Sequence, residues 1–517
     1  MGRNTSPTTL NYIKKLIMER LKKYTLLILL PLFAACNDFL DVNNNPNAPV
    51  SENLALSAKL PAAQVYTAQM ESVMLNQLGA FWGGYWGAVS EAITRFRKES
   101  TYNGLSIMAN RDGIHIWENG YAALMYYQLI REQALQESEG FYLGIAQIMQ
   151  GWHFLRLVDV YGDIPFDEAL QGTRFPEPAY EDGEIVYQKS VELITLGMRE
   201  IANASTTPGA SDVMFGGQKE KWLRFGNTIK LRALIRQSEK GDPEWIQNQI
   251  DLILEEGSGF LQTHQHATVQ PGYLNVAGKT NPFWVSYYKN IEGVWVSNYL
   301  DISPTQFVVE AYAQRQDPRL VQLYLPAQGH GSQRGVLFGN PDASVEYNRA
   351  NTSTLLGPGE NGGLPAGLLK SPGQPVVLMG GFESMFLQAE AALRGWLPLN
   401  SQDLYYEGIA SSFQYLGVND PQLLQQYLEN DLVVFDQSLE QLIKQKWLAL
   451  NSINSIEAWN DFRRLGLPQI PNSLSAPTSL ARPQRLMYPE SEVQSNGRQV
   501  ALRNITDITT AKVWWMP

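Results

Sequence analysis

The chain has 517 residues, of which 44% are hydrophobic and 18% are charged, the balance of a folded globular protein rather than a disordered one. Its formal net charge of −11 argues against binding to nucleic acid and against electrostatic attachment to anionic lipid. A single cysteine excludes internal disulfides and any metal cluster held by several cysteines.

That cysteine, Cys36, directly follows an apolar run from Leu26 to Ala35, which is too short to cross a bilayer. Cationic residues precede the run and small residues end it, which is the pattern of a bacterial lipoprotein signal. We expect residues 1–35 to be removed and Cys36 to carry acyl chains such as palmitate. An ordinary signal peptide followed by a chance cysteine is the alternative. A complete cationic region begins at Met18, so translation starting at Met18 rather than Met1 is a second interpretation of residues 1–17.

Residues 36–50 are rich in asparagine and proline and lack helical periodicity, which predicts a tether. Beyond it, residues 51–517 predict one mostly α-helical domain with long loops. No further apolar run is long enough for a transmembrane helix.

Apolar residues then recur at helical spacing in several segments, including 141–155, 222–236, 382–393, 405–416 and 439–450. Gly395 and Gly417 are placed to end two of these helices, and Ser438 with Gln441 resembles a capping box that opens another. Helix pairs joined by short turns resemble the tetratricopeptide arrangement. The long stretches 95–113, 258–300, 326–375 and 466–513 read as irregular loops, where binding residues are often found.

An ordered set of short motifs matches one family from the cysteine to the last residues. The motifs are CNDFLDVN at 36–43, NPNAP at 45–49, VYGDIPFDEAL at 160–170, KWLRFGNTIKLR at 221–232, QAEAALRGW at 388–396, QKW at 445–447, EAWNDFRR at 457–464, PQRLMYPE at 483–490 and the pair WW at 514–515. Together they resemble a SusD/RagB-family outer-membrane lipoprotein, in its SusD-like nutrient-binding branch.

The resemblance implies a mostly helical fold in which tetratricopeptide-like helix pairs support an irregular, loop-rich ligand-binding portion. It also implies a lipid-anchored protein at the outer face of the outer membrane that captures an oligosaccharide or peptide nutrient. The implied partner is a SusC-like TonB-dependent transporter. Such proteins bind without performing chemistry, so no catalytic residue and no cofactor are expected.

Carbohydrate capture needs aromatic faces flanked by hydrogen-bonding groups. One candidate stretch contributes Trp284, Tyr287, Trp295 and Asn298 from a non-periodic region. The other contributes Trp82, Tyr85 and Trp86, for which packing in a helical core is the favoured interpretation. Ligand-binding aromatics vary in position within the family, so none is assigned from the resemblance.

Two pairs of residues resemble a catalytic site and a metal site. Glu383 and Glu390 share one helix face, but two helical turns separate them by about 10.5 Å, so structural ion pairs with Arg394 or Arg464 are favoured over a glycosidase pair. His264 and His266 could meet a zinc ion on one strand face, yet no further ligand pattern accompanies them, so no metal is expected.

Two functions of other classes stay open at this point. One is a surface glycoside hydrolase, which would require paired acids across a cleft. The other is a helical adaptor that grips the transporter without binding a soluble ligand.

Overall fold

The computed structural model describes residues 54–360, 362 and 366–517, so the expected signal peptide, Cys36 and the tether lie outside the described residues. From Leu56 to Pro517 the chain forms one compact unit. Of the helices within this described part, none combines the length and the apolar character that crossing a bilayer requires.

Helices make up most of the first half, as the sequence predicts. They are α1 (Leu56–Gln69), a π-helical segment (Met70–Leu75), α2 (Asn76–Trp82), α3 (Arg97–Ser100), α4 (Gly104–Met108), α5 (Ile116–Glu137), α6 (Gly140–Tyr161), α7 (Gly183–Asn203), α8 (Lys219–Arg236) and α9 (Pro243–Glu256).

Helix α6 is the centre of this half because it packs against both α5 and α7. All but one of its residues are buried, so both neighbours are needed to cover it. Gly144 of α6 and Gly197 of α7 let the two backbones approach closely, since a Cβ at Gly144 would lie 2.4 Å from the Gly197 oxygen. The α5–α6 and α6–α7 packings confirm helix pairing as the principle of the fold.

The second half contains short helices followed by a second group of paired ones. They are α10 (Pro282–Tyr287), α11 (Ser297–Asp301), α12 (Gln306–Ala313), α13 (Leu320–Leu323), α14 (Gly381–Leu393), α15 (Ser401–Tyr415), α16 (Pro421–Leu428), α17 (Leu439–Leu450), α18 (Ser455–Leu465), α19 (Glu490–Ser495) and α20 (Gly497–Arg503).

The predicted helix ends in this half are confirmed. Gly395 and Gly417 each follow the C-cap residue of α14 and α15 and have φ of +77° and +80°, a conformation that glycine adopts without strain. The Ser438 side chain accepts a hydrogen bond from the Gln441 N–H at 3.1 Å and caps α17. The Gln441 side chain donates instead to the Tyr405 hydroxyl and to the Leu432 carbonyl, so only half of the capping box forms.

Three antiparallel two-stranded ribbons accompany the helices of the described residues. β1 (Trp86–Ala88) pairs with β5 (Ile302–Pro304), β2 (Ile164–Pro165) with β3 (Tyr180–Glu181), and β4 (Ala267–Val269) with β6 (Val376–Met379). The 258–300 stretch, predicted as irregular, therefore holds β4 and the helices α10 and α11. The β1–β5 ribbon places Val89 against Asp301, since the Val89 N–H donates to the Asp301 carbonyl at 3.0 Å.

The two glutamates on one face of α14 form structural ion pairs, as predicted. Glu390 accepts from Arg464 at 2.6 Å and from Arg394 at 3.0 Å. Glu383 pairs instead with Arg232 of α8, at 3.4 Å, and accepts from the Asn454 amide at 2.9 Å. Both carboxylates are fully buried and occupied by these partners, so they do not face each other across an open cleft.

Candidate ligand-binding site

An exposed indole, that of Trp295, marks the candidate site. The chain enters through α10, where the Asn281 side chain caps the helix by accepting from the Trp284 N–H at 2.9 Å. Lys289 and Trp295 then pair as an isolated antiparallel bridge. Gly293, at φ +80°, and the Asn290 side chain, which accepts from the Val294 N–H at 2.8 Å, close this turn.

Trp295 lies in this turn and is 51% exposed. This is the largest exposure of any tryptophan in the described residues. Its ring is stacked on that of Tyr299, with centroids 6.0 Å apart and an interplanar angle of 19°. The Lys289 ammonium lies 5.6 Å from the Trp295 ring centre and 4.6 Å from that of Tyr288. Trp295 is thus a supported aromatic face that is open to solvent.

Polar groups on α11 lie one turn beyond this face. The Asn298 side chain donates to the Ser286 carbonyl at 2.9 Å, and its oxygen accepts from Arg95 Nη2 at 2.6 Å. Both contacts fix the orientation of the amide. The Arg95 side chain is 41% exposed, so part of its donor fork faces solvent beside the amide.

Asp301 holds two guanidinium groups in place. One carboxylate oxygen accepts from Arg95 at 2.5 Å and the other from Arg349 at 2.6 Å. Arg349 also donates to the Leu300 carbonyl at 3.1 Å while its side chain is 44% exposed. Each Asp301 oxygen accepts from one guanidinium group, so the carboxylate orients the N–H donors of two partly exposed arginines.

The tyrosines beneath the indole act as neutral hydrogen-bonding groups. Burial raises the pKa of Tyr299 to about 12, and its hydroxyl accepts from Thr354 at 3.1 Å. Burial, reinforced by the charge of Glu360, also raises the pKa of Tyr288, whose hydroxyl donates to Glu360 at 3.0 Å. Both rings stay uncharged at neutral pH, so the floor of the site carries no phenolate.

A second loop borders the indole turn. The Asn275 side chain donates to the Ile291 carbonyl at 3.3 Å and connects the 272–280 loop to the turn. Leu274 and Val276 of that loop are 56% and 51% exposed, and Val294 of the turn is 60% exposed. The two connected loops therefore both expose apolar side chains beside the indole turn.

The structure separates the residues that the sequence grouped as binding candidates. Trp295 is exposed and Asn298 is half-buried, so both are accessible to a ligand. Trp284 and Tyr287 are 6% and 1% exposed, because α10 turns them into the core. The Tyr287 hydroxyl donates to the Val73 carbonyl at 3.0 Å, which is a packing role.

The other aromatic group lies entirely in the core, in agreement with the favoured interpretation. Trp82, Tyr85 and Trp86 have no exposed surface. Trp82 donates to the Glu99 carbonyl at 3.1 Å and Trp86 to the Ser452 hydroxyl at 2.9 Å, while Tyr85 stacks on a tryptophan of α17. No face of these rings is open to a ligand in this conformation.

Sequence reasoning missed Arg95, Arg349 and Asp301. Arg95 and Asp301 are 206 positions apart, and Arg349 follows after a further 48. No local pattern marks residues that meet only when β1 and β5 pair and the 344–352 segment folds back on them.

The two histidines, His264 and His266, differ in environment, because His264 is exposed to solvent. His266 is partly buried, and its Nδ1 accepts from the Gly381 N–H at 2.9 Å. Burial lowers the pKa of His266 to about 4, and the positive charge of Lys370 acts in the same direction. Within the described residues no three potential metal ligands come together.

Comparison with known proteins shows which family the chain belongs to. The family model described as "Starch-binding associating with outer membrane", SusD-like, matches residues 60–489. The chain belongs to this family. None of the curated proteins matches this SusD-like chain.

Solved structures confirm the fold. A SusD homologue from Bacteroides uniformis is 20% identical, with a TM-score of 0.70 over 89% of this chain and 99% of that one. A SusD homologue from Bacteroides thetaiotaomicron is 19% identical, with a TM-score of 0.70 over 90% and 99%. A chitin-binding SusD homologue from Flavobacterium johnsoniae is 21% identical, with a TM-score of 0.70 over 88% and 98%. The mostly α-helical SusD-like fold predicted from the sequence is therefore correct.

Proposed function

We propose that this SusD-like protein captures an oligosaccharide at the cell surface on the face formed by Trp295. The exposed, supported indole is the observation that carries the proposal, because sugar rings stack their C–H faces on aromatic rings. Asn298, Arg95 and Arg349 would supply hydrogen bonds to the hydroxyl groups at the edge of the ring. The description of the family as starch-binding and the chitin-binding relative both support a glycan as ligand.

We further propose that the captured glycan passes to a SusC-like TonB-dependent transporter and that the protein performs no chemistry itself. Family membership supports this role in uptake. The absence of a catalytic step is supported by the site's one buried carboxylate, Asp301, which is ion-paired with both Arg95 and Arg349. Product formation from a bound glycan would contradict this part and favour a glycoside hydrolase. Assembly with the transporter without glycan binding would favour an adaptor.

The proposal includes a lipid anchor at Cys36, on the outer membrane and facing the cell exterior. We expect mass spectrometry of the protein from native membranes to find a mature N-terminus at Cys36 that carries a thioether-linked lipid. Two or more acyl chains hold a protein stably, whereas one binds only marginally. An unmodified N-terminus at another residue would contradict the anchor.

Replacing Trp295 with alanine tests the binding face. Removing an indole that covers a sugar ring costs about 1.5–3 kcal/mol, so we expect affinity to fall roughly 10- to 150-fold. Titration calorimetry of the mature chain with maltohexaose and chitohexaose provides the measurement.

Trp396→Ala is the matched control, because Trp396 lies in the turn after α14 and packs against a separate apolar cluster. Its affinity for the same glycans should equal that of the wild type. Unchanged affinity of Trp295→Ala, with an unchanged unfolding midpoint, would remove Trp295 from the binding site.

A further inference from the structure

A second concave surface lies on the paired helices and shares no residue with the Trp295 site. It is a groove of about 710 Å³ bounded by α5, α6 and α7 and by the 166–174 segment that follows the YGDIP motif. This volume falls within the range of small-molecule binding sites, about 300–1,000 Å³.

The floor of the groove is apolar. Phe154 and Phe166 pack with ring centroids 4.3 Å apart, and Phe166 is only half-buried. Leu193 and Leu196 of α7 extend this floor, and Leu196 is 40% exposed. Leu170 closes it with φ of +63°, a left-handed conformation that a bulky residue rarely adopts. Backbone strain of this kind concentrates at functional sites.

On both sides of the groove, a glutamine accepts a hydrogen bond from an arginine. On the helix side the Gln150 oxygen accepts from Arg131 at 3.5 Å, and its amide donates to Gln128 at 2.9 Å. On the loop side the Gln171 oxygen accepts from Arg174 at 3.2 Å, and its amide donates to the Asp167 carbonyl at 2.6 Å. These contacts orient amide and guanidinium donors across an apolar floor.

The charges that line the groove cancel. Its lining contains three cationic side chains and three anionic ones, which are Arg131, Arg174 and Lys189 against Glu132, Asp167 and Glu192. Lys189 is neutralised directly by Asp167 and Glu181, each at 2.6 Å. A charged ligand would meet as many repulsive groups as attractive ones, so the groove suits an uncharged ligand with many hydroxyl groups.

We propose that this groove is a second carbohydrate site, which binds a neutral oligosaccharide segment independently of Trp295. The ligand class rests on the proposed function, whereas the site rests on the groove itself. The exposed Gln171 amide, which can both donate and accept, and the Arg131 and Arg174 guanidinium groups match the mixed donor and acceptor character of sugar hydroxyls. The exposed Leu196 and the half-buried Phe166, whose ring centre lies 5.4 Å from the Lys189 ammonium, form an apolar surface for the C–H groups of a sugar ring.

The experiment combines variants at both sites, with maltohexaose and chitohexaose as probes. Titration calorimetry of the wild-type mature chain should give two bound glycans per chain for a probe that fits, and Trp295→Ala should retain one. Adding Gln171→Ala and Arg174→Ala to Trp295→Ala should weaken the retained binding roughly ten-fold, because two oriented hydrogen-bonding groups are lost. Both residues are exposed, so the fold should tolerate their truncation.

The control adds Gln247→Ala and Arg111→Ala to Trp295→Ala. Both control residues are exposed and lie outside the groove lining, and they should leave the retained binding unchanged. A stoichiometry of one that Trp295→Ala abolishes would overturn the groove proposal and keep the proposed function. Binding that only the groove variants weaken would overturn the Trp295 site and keep the groove.

Two further outcomes would overturn the groove as a glycan site. Wild-type protein that binds neither probe would contradict both proposals. Groove variants that weaken co-purification with the transporter, while glycan stoichiometry stays at one, would identify the groove as a protein-docking surface.

Discussion

Replacing Glu457 with alanine should lower the free energy of unfolding by about 3–5 kcal/mol, the cost of breaking a buried ion pair from one side. Glu457 lies fully buried on α18, and its carboxylate contacts Arg156 of α6 and both Arg232 and Arg236 of α8. Burial alone would raise the pKa of Glu457, yet these guanidinium groups hold it well below its ordinary value. The alanine variant would leave the cations buried with less compensation.

Urea denaturation followed by tryptophan fluorescence measures this loss. The control Glu255→Ala removes an exposed carboxylate near the end of α9 and should change stability by less than about 0.5 kcal/mol. Glu457→Gln keeps the shape and removes only the charge, so it provides a measurable value if the alanine variant does not fold. A loss below about 1 kcal/mol in both Glu457 variants would show that the ion network does not hold these helices together.

The sequence predicts the helices well because their signals are local. The apolar spacing of 382–393 and 405–416, with glycines placed to end them, corresponds to α14 and α15. The pairing of Glu390 with Arg394 is also local, since the two residues lie four positions apart on one helix. The contact between Glu457 and Arg156 spans 301 positions, and no spacing rule could predict it.

In the binding site, too, only the residues with a local sequence signal could be predicted. The sequence identifies the aromatic stretch that contains both Trp284 and Trp295, but composition cannot tell which ring faces solvent. The Asn281 cap decides this, because it starts a helix that buries Trp284 and leaves Trp295 on the following turn. Arg95 and Arg349 join the site only through tertiary folding, so they could not be predicted.

Replacing Gly79 with alanine should destabilise the protein by roughly 3 kcal/mol, the upper end of the usual cost of overpacking. Gly79 lies in α2, where an alanine would ordinarily stabilise the helix by about 1 kcal/mol. Here a Cβ would lie 2.2 Å from the Ile456 nitrogen and 2.3 Å from the Ser455 carbonyl carbon. Both are backbone atoms of α18, so no side-chain rotation can relieve the clash and the two helices must move apart.

Separation of these helices would also break the hydrogen bonds that join them. The Asn76 side chain donates to the Ser452 carbonyl and accepts from the Ser455 N–H, both at 3.0 Å. Gly140→Ala is the matched control, because a Cβ at this first position of α6 would meet nothing closer than 3.6 Å. We expect thermal unfolding to show a lowered midpoint for Gly79→Ala and an equal or higher one for Gly140→Ala. Equal midpoints in both variants would contradict the close packing of α2 on α18.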